Sequence, residues 1–150
     1  MTITTALCNS FKGELLQEGH NLASDSIKVA LIKTSESGTY NATTTNYSDV
    51  TGNSDEASGT NYSAGGQVLD SVTVTTDQTG NRAYVDIADE TFSNVTVSAQ
   101  GCIIYNASNG NKAIAVINFG GSGISASSGD VVIQFPAVGT NGASAIIRID

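Results

Sequence analysis

From Ser26 onward, apolar residues recur at every second position in short runs separated by Gly, Asn, Asp and Ser. A repeat of two belongs to a β-strand, whose successive side chains point to opposite faces, and it excludes a helical bundle. In SIKVALIK, Ile27, Val29 and Leu31 share one face, with Lys28 on the other. Val72 and Val74 repeat the pattern in QVLDSVTVTT, and Ala83, Val85 and Ile87 do so in RAYVDIAD. Further runs cover 91–97, 101–106, 112–119, 130–135 and 144–150. DQTGN (77–81) and SNGN (108–111) read as hairpin turns, because Asn and Gly accept a positive φ.

About eight short strands with turn residues between them form the pattern of a mainly β fold, an antiparallel β-sandwich or jelly roll. The runs CIIYN and KAIAVINF are apolar on both faces. That places them centrally, under a second sheet on one side and under a helix or a neighbouring subunit on the other. At 150 residues the chain is large enough to close one core, and 1–150 is read as a single domain.

Only the N-terminus has helical spacing. Leu7, Phe11 and Leu15 recur every fourth residue, flanked by Cys8 and Leu16. The spacing predicts one amphipathic helix near 6–18, with Thr5 as N-cap and Gly19 in the left-handed position after the last turn. Gly13 inside it costs about 1 kcal/mol relative to Ala. Two segments lack strand patterning. Residues 34–61 form a long loop whose large side chains are Tyr40, Tyr47 and Val50, with Tyr62 just beyond. A structureless connection of that length is usually functional or mobile. The Gly/Ser-rich stretch 120–130, which contains Ile124, reads as a shorter flexible loop.

Side chains that perform chemistry are scarce. Charged residues make up 13% of the chain, there is one His and no Trp, and 64 of 150 residues are Ser, Thr, Asn or Gly. Asp86, Asp89 and Glu90 could form a carboxylate pair for glycoside hydrolysis, but they read as a strand's polar face and the following turn. Asp49, Thr51, Asn53 and Asp55 alternate like a calcium loop, yet the sixth and twelfth positions are Ser54 and Thr60 where Gly and Glu are required. His20 follows the helix, where a structural role near its free carbonyls outweighs catalysis. Gly65-Gly66 lacks the Lys of a phosphate loop and reads as a turn. Cys8 and Cys102, far apart in sequence, read as small buried apolar residues. No catalytic residue, metal site or cofactor is expected.

The net charge of −8 disfavours nucleic-acid and anionic-membrane partners. The N-terminal MTITTALCNSFK has neither the basic start nor the apolar core of a signal peptide, which makes cytosolic synthesis the expectation.

Three blocks then carry a resemblance. They are the opening Phe11–His20, the Tyr-x-Ala-Gly-Gly turn Tyr62–Gly66, and the Ala-x-Gly-x-x-x-Tyr-Asn strand Ala99–Asn106. Taken with the closing IIRID, the chain resembles small virion structural proteins of tailed bacteriophages over nearly its whole length. The resemblance implies a non-enzymatic capsid decoration (cement) protein on the outer capsid surface, made in the host bacterial cytoplasm. Its implied partners are the major capsid protein and further copies of itself, as a trimer by analogy. Tyr40, Tyr47, Tyr62 and Ile124, in or beside the two loops, are the candidate partner contacts. The alternative is a tail or fibre-associated adhesive protein that presents the same tyrosines to a bacterial surface.

Overall fold

In a computed structural model that describes residues 1–150, the chain is mainly β, with 43% strand against 10% helix. In chain order the elements are β1 (Thr2–Ile3), β2 (Ala6–Leu7), α1 (Asn9–Leu15), β3 (Ile27–Lys33), β4 (Thr39–Tyr40), α2 (Ser48–Gly52), β5 (Gln67–Val68) and β6 (Thr73–Asp77). They continue with β7 (Arg82–Asp86), β8 (Glu90–Asn106), β9 (Lys112–Asn118), β10 (Ile124–Ile133), a 3-10 turn at Thr140–Gly142, and β11 (Ile147–Ile149). A six-stranded sheet runs β2-β9-β8-β3-β5, with β10 also paired to β8; a three-stranded sheet runs β11-β7-β6. Both sheets are antiparallel, and only the short β1–β4 pair is parallel.

The spine is β8, which the sequence pattern reads as two strands. Its first half buries Phe92, then alternates from Val95 through Val97 and Ala99 after a break at Asn94, and pairs with β10. Its second half, Gly101–Asn106, is buried on both faces and lies between β3 and β9. A bulge at Gln100 joins the halves, since Ile32 pairs with Gly101 and Lys33 with Ala99. Such a bulge bends a strand and lets one chain segment serve two pairings. Gly101 is required there, because a Cβ would lie 2.3 Å from the Ile117 carbonyl oxygen.

Adjacent β8 residues meet different layers, as strand geometry demands. Ile104, with Ile27 and Ile114, packs toward Val85, Ile87 and Ile147 across a gap of about 10 Å³. Tyr105 instead stacks on Tyr47 of the 34–61 segment, with ring centroids 4.5 Å apart. Two sheets facing across one core are consistent with a sandwich. Both hairpin turns form as expected, with positive φ at Asn81, Gly110 and Asn111.

Three expectations are corrected. The helix begins at Asn9, because Ala6 and Leu7 pair with Val116 and Ala115 and the Cys8 N–H donates to the Ile114 carbonyl. Leu7 therefore belongs to an edge strand, and the spacing to Phe11 is no helical stripe. The helix ends early, Leu16 is 89% exposed, and the left-handed residue is Glu18, with Gly19 donating back to the Glu14 carbonyl. The 34–61 segment is no open loop: it contains β4 and α2 and buries Tyr40, Val50 and Ala57. The 120–130 stretch is strand from Ile124 onward, since its Ser and Ala side chains alternate along β10 against β8.

Candidate functional site

Two adjacent carboxylates organise the 34–61 segment. Asp55 is fully buried and accepts from the Ser37 N–H at 2.9 Å, the Gly38 N–H at 2.7 Å and the Tyr40 hydroxyl at 2.6 Å, with Lys33 Nζ 3.2 Å away. Burial alone would raise its carboxyl, but hydrogen bonds from Tyr40, Ser37, Gly38 and Lys33 outweigh it and hold the group well below the usual carboxylate range. Glu56 accepts from the hydroxyls of Tyr47 and Tyr62 and from the Gly65 N–H. The Tyr62 oxygen in turn accepts from the Leu31 N–H, and the Tyr105 hydroxyl donates to the Gly65 carbonyl. Burial first, and these carboxylates second, push the Tyr40 and Tyr47 phenols up; burial is also the main cause for Tyr62 and Tyr105, the latter to about 12.

These bonds bury Tyr40 and leave the other candidate contacts, Tyr47, Tyr62 and Ile124, partly exposed. Tyr40 is 1% exposed, and its hydroxyl is directed at Asp55. Tyr47 and Tyr62 are partly buried, with their hydroxyls on Glu56. Ile124 is half-buried at the start of β10 and packs against the core. The four residues do not form a common exposed patch. Asp55 and Glu56 escaped the sequence reading as hubs, although two consecutive acids in a hydroxyl-rich stretch point to opposite sides and can serve two networks.

The groups that invited catalytic readings are also placed. Asp86 is exposed on β7, Asp89 accepts from the Phe135 N–H, and the Glu90 carboxyl is raised by burial beside Asp70. The Asp49 carboxylate accepts from the Thr45 and Asn46 N–H groups at the start of α2, while its carbonyl accepts from the Tyr40 hydroxyl and Asn53 at the edge of the Asp55 hub. No group of three or more His, Cys, Asp or Glu side chains is gathered to hold a metal ion. Cys8 and Cys102 are free and buried, and burial pushes their thiols up to about 11 and about 12. The His20 side chain is fully buried between Glu14 and Asn106, so it bonds side chains and leaves the helix carbonyls to the Gln17 and Gly19 N–H groups.

What remains open is a surface. An apolar groove of about 600 Å³ lies between the three-stranded sheet and the chain leaving α1. Its sheet wall has two cross-strand rows: Val74, Val85 and Ile147 in register, then Ala83 and Ile149. Leu15, Leu22 and Ala23 form the opposite wall, and Glu18 stands on the rim. Val74 and Ile149 remain about half exposed, the latter 57%. A second groove of about 590 Å³, where β3 ends beside β8 and β10, is lined mainly by Ser and Thr with Lys33 and Glu56. Lys33, Arg82, Lys112 and Arg148 each lie within 4.0 Å of a carboxylate, which leaves Lys12 and Lys28 as the basic side chains outside ion pairs in a chain of net charge −8.

No helix is long and apolar enough to cross a membrane. The chain matches no protein-family profile, no curated protein and no solved structure.

Proposed function

We propose that the chain is a non-enzymatic structural subunit of a tailed-phage virion. In this reading it is a decoration protein on the outer capsid surface that stabilises contacts between major capsid subunits. The observation that carries this reading is the open apolar face of β6, β7 and β11, with Val74 and Ile149 about half exposed on it. It occurs in a chain whose histidine, cysteines and hub carboxylates are all engaged internally or buried. Exposed apolar surface of this kind is characteristic of protein contact. The acidic surface repels nucleic acid and anionic lipid, which favours a protein partner. A subunit that binds only the assembled lattice stabilises it by mass action, even where each contact is modest.

The blocks that carry the resemblance hold structural positions. Tyr62–Gly66 bonds to Glu56, Gly101 admits the bend in β8, and Asn106 fixes the β8–β9 turn through Ser108 and Asn109. In this chain they serve the architecture, and the groove supplies the contact. The tail-adhesion alternative rests on exposed tyrosines; with Tyr40, Tyr47 and Tyr62 turned inward, it loses that aromatic surface.

The test is the copy number of this chain in purified particles, with its position found by image reconstruction. Stoichiometry matching the capsid lattice and density on the outer shell are the expected results. Copies confined to the tail overturn the proposal.

A further inference from the structure

The chain's one histidine sits where α1, the 19–25 strap, β8 and β9 converge, with both ring nitrogens occupied. Its ring is set edge-on to Phe11, centroids 4.9 Å apart. Nε2 lies 2.7 Å from Glu14 Oε2, and Nδ1 lies 3.0 Å from Asn106 Nδ2. Asn106 permits only one reading of these contacts. Its Oδ1 accepts from the N–H groups of Ser108 and Asn109, and its Nδ2 donates to Asp25 Oδ2 at 2.6 Å as well as to the ring. This buried amide has all four hydrogen bonds made, and turning it over would set donors against donors. Nδ1 is therefore the acceptor and Nε2–H the donor, which describes a neutral imidazole.

Carboxylates flank that neutral ring. Glu14 approaches from α1 and Asp25 from the end of the strap, while Lys112 of β9 lies 3.5 Å from Glu14. Hydrogen bonds from Asn106 and from the Asn21 N–H hold the Asp25 carboxyl below its usual range. Glu18 and Tyr84 line the groove beside the strap. A solvent proton taken up at Nδ1 would face the Asn106 NH₂, donor against donor. The resulting cation is drawn to the Asp25 carboxylate that this amide already holds. The bond from Asn106 Nδ2–H to Nδ1 breaks, a bond from Nδ1–H to Asp25 forms, and no other group changes its proton count. Asn106, which donates to Asp25, and Asn109, which donates to the Gly19 carbonyl, tether the strap to the body, while Asp25 closes the strap on itself by accepting from the Asn21 N–H. His20, Asn21, Leu22 and Ala23 are in turn one wall of the apolar groove.

We propose that His20 is a proton-operated latch on that wall. Neutral, it is locked to Asn106 and pins the 19–25 strap; protonated, it exchanges Asn106 for Asp25 and the strap loosens beside the groove.

The test follows the wild-type protein from about pH 8 to about pH 5, the span in which imidazoles change charge. Nitrogen NMR of the ring gives the tautomer, and amide hydrogen exchange, corrected for its intrinsic pH dependence, gives the strap. The expected result is an Nε2–H tautomer at high pH. On acidification, residues 20–25 exchange about ten-fold faster, the effect of one lost buried hydrogen bond, while the amides of β3 and β8 hold. His20→Gln flattens the pH response, and Asp25→Asn blunts it. An Nδ1–H tautomer, a ring that stays neutral to about pH 5, a strap indifferent to the titration, or an unchanged response in His20→Gln overturns the latch. If His20→Gln fails to fold, the wild-type tautomer and strap exchange decide the matter alone.

Discussion

The two layers that cover the central sheet are held by opposite means. On one face the 34–61 segment has few apolar side chains, yet it lies firmly because Asp55 and Glu56 collect backbone and phenol donors from along its length. On the other face β6, β7 and β11 present aliphatic rows, bury Val85, Ile87 and Ile147, and leave Val74 and Ile149 half exposed. Apolar content therefore does not report how well a layer is fastened. A carboxylate saturated with donors in a low-dielectric setting fixes a polar segment in one geometry, whereas apolar contact tolerates an incomplete cover. The firm side has closed its chemistry inward, and the apolar side keeps surface to offer.

The strongest way to break this contrast is Asp55→Ala. It leaves the Tyr40 hydroxyl, two N–H groups and the Lys33 ammonium without their acceptor, and the expected loss is about 3–5 kcal/mol in urea unfolding. A loss below about 1 kcal/mol would mean that apolar contact, and not the hub, holds the segment.

Acid should loosen the same side. The folded Asp55 carboxyl titrates below its unfolded value of about 3.9, so its contribution is fully present above that pH. It is lost as pH falls toward the folded value, which makes stability decline with acid below about pH 4. Circular dichroism at graded pH should show this decline in the wild type and a shallower one in Asp55→Asn.

Glu56→Gln is the next smaller change. It retains an acceptor but removes the charge shared by Tyr47, Tyr62 and Gly65, at an expected cost of about 1–2 kcal/mol. Near-ultraviolet circular dichroism would register loosening of the Tyr47–Tyr105 stack, and an unaltered spectrum would show that the stack stands without the hub.

The smallest stability effect belongs to the open face. Val74→Ser and Ile149→Ser alter half-exposed positions and should shift stability by no more than about 0.5 kcal/mol. They should nevertheless weaken binding to purified capsids in a sedimentation assay. Full binding by both variants would remove the groove from the proposed contact.

Much of the strand content of both sheets was legible in advance. Alternation marked β3 and β7, double-sided apolar runs marked the second half of β8 and β9, and Asn-Gly chemistry marked both hairpins. The N-terminal helix was half legible: Phe11 is its buried residue, but Leu7 pairs with Ala115 in a strand, and local spacing cannot reveal a partner more than a hundred residues away. The groove was less legible, because its rows require β6, β7 and β11 to be aligned, and the register between them is absent from any one segment. The burial of Tyr40 was hidden for a related reason. A tyrosine in a polar stretch reads as exposed until the acid that will take its hydroxyl is known to sit beside it.

The sequence by itself determined that the chain is mainly β, that its turns fall at Asn and Gly, and that it carries a single histidine and two cysteines. Those properties follow from period and composition, which are local. Only the tertiary structure decided that β8 is one bent strand, that Asp55 and Glu56 close the 34–61 segment, and that His20 shares a buried knot with Asp25 and Asn106. Each depends on donors and acceptors brought together from distant parts of the chain, and a buried polar group acquires its role only from the partners that surround it.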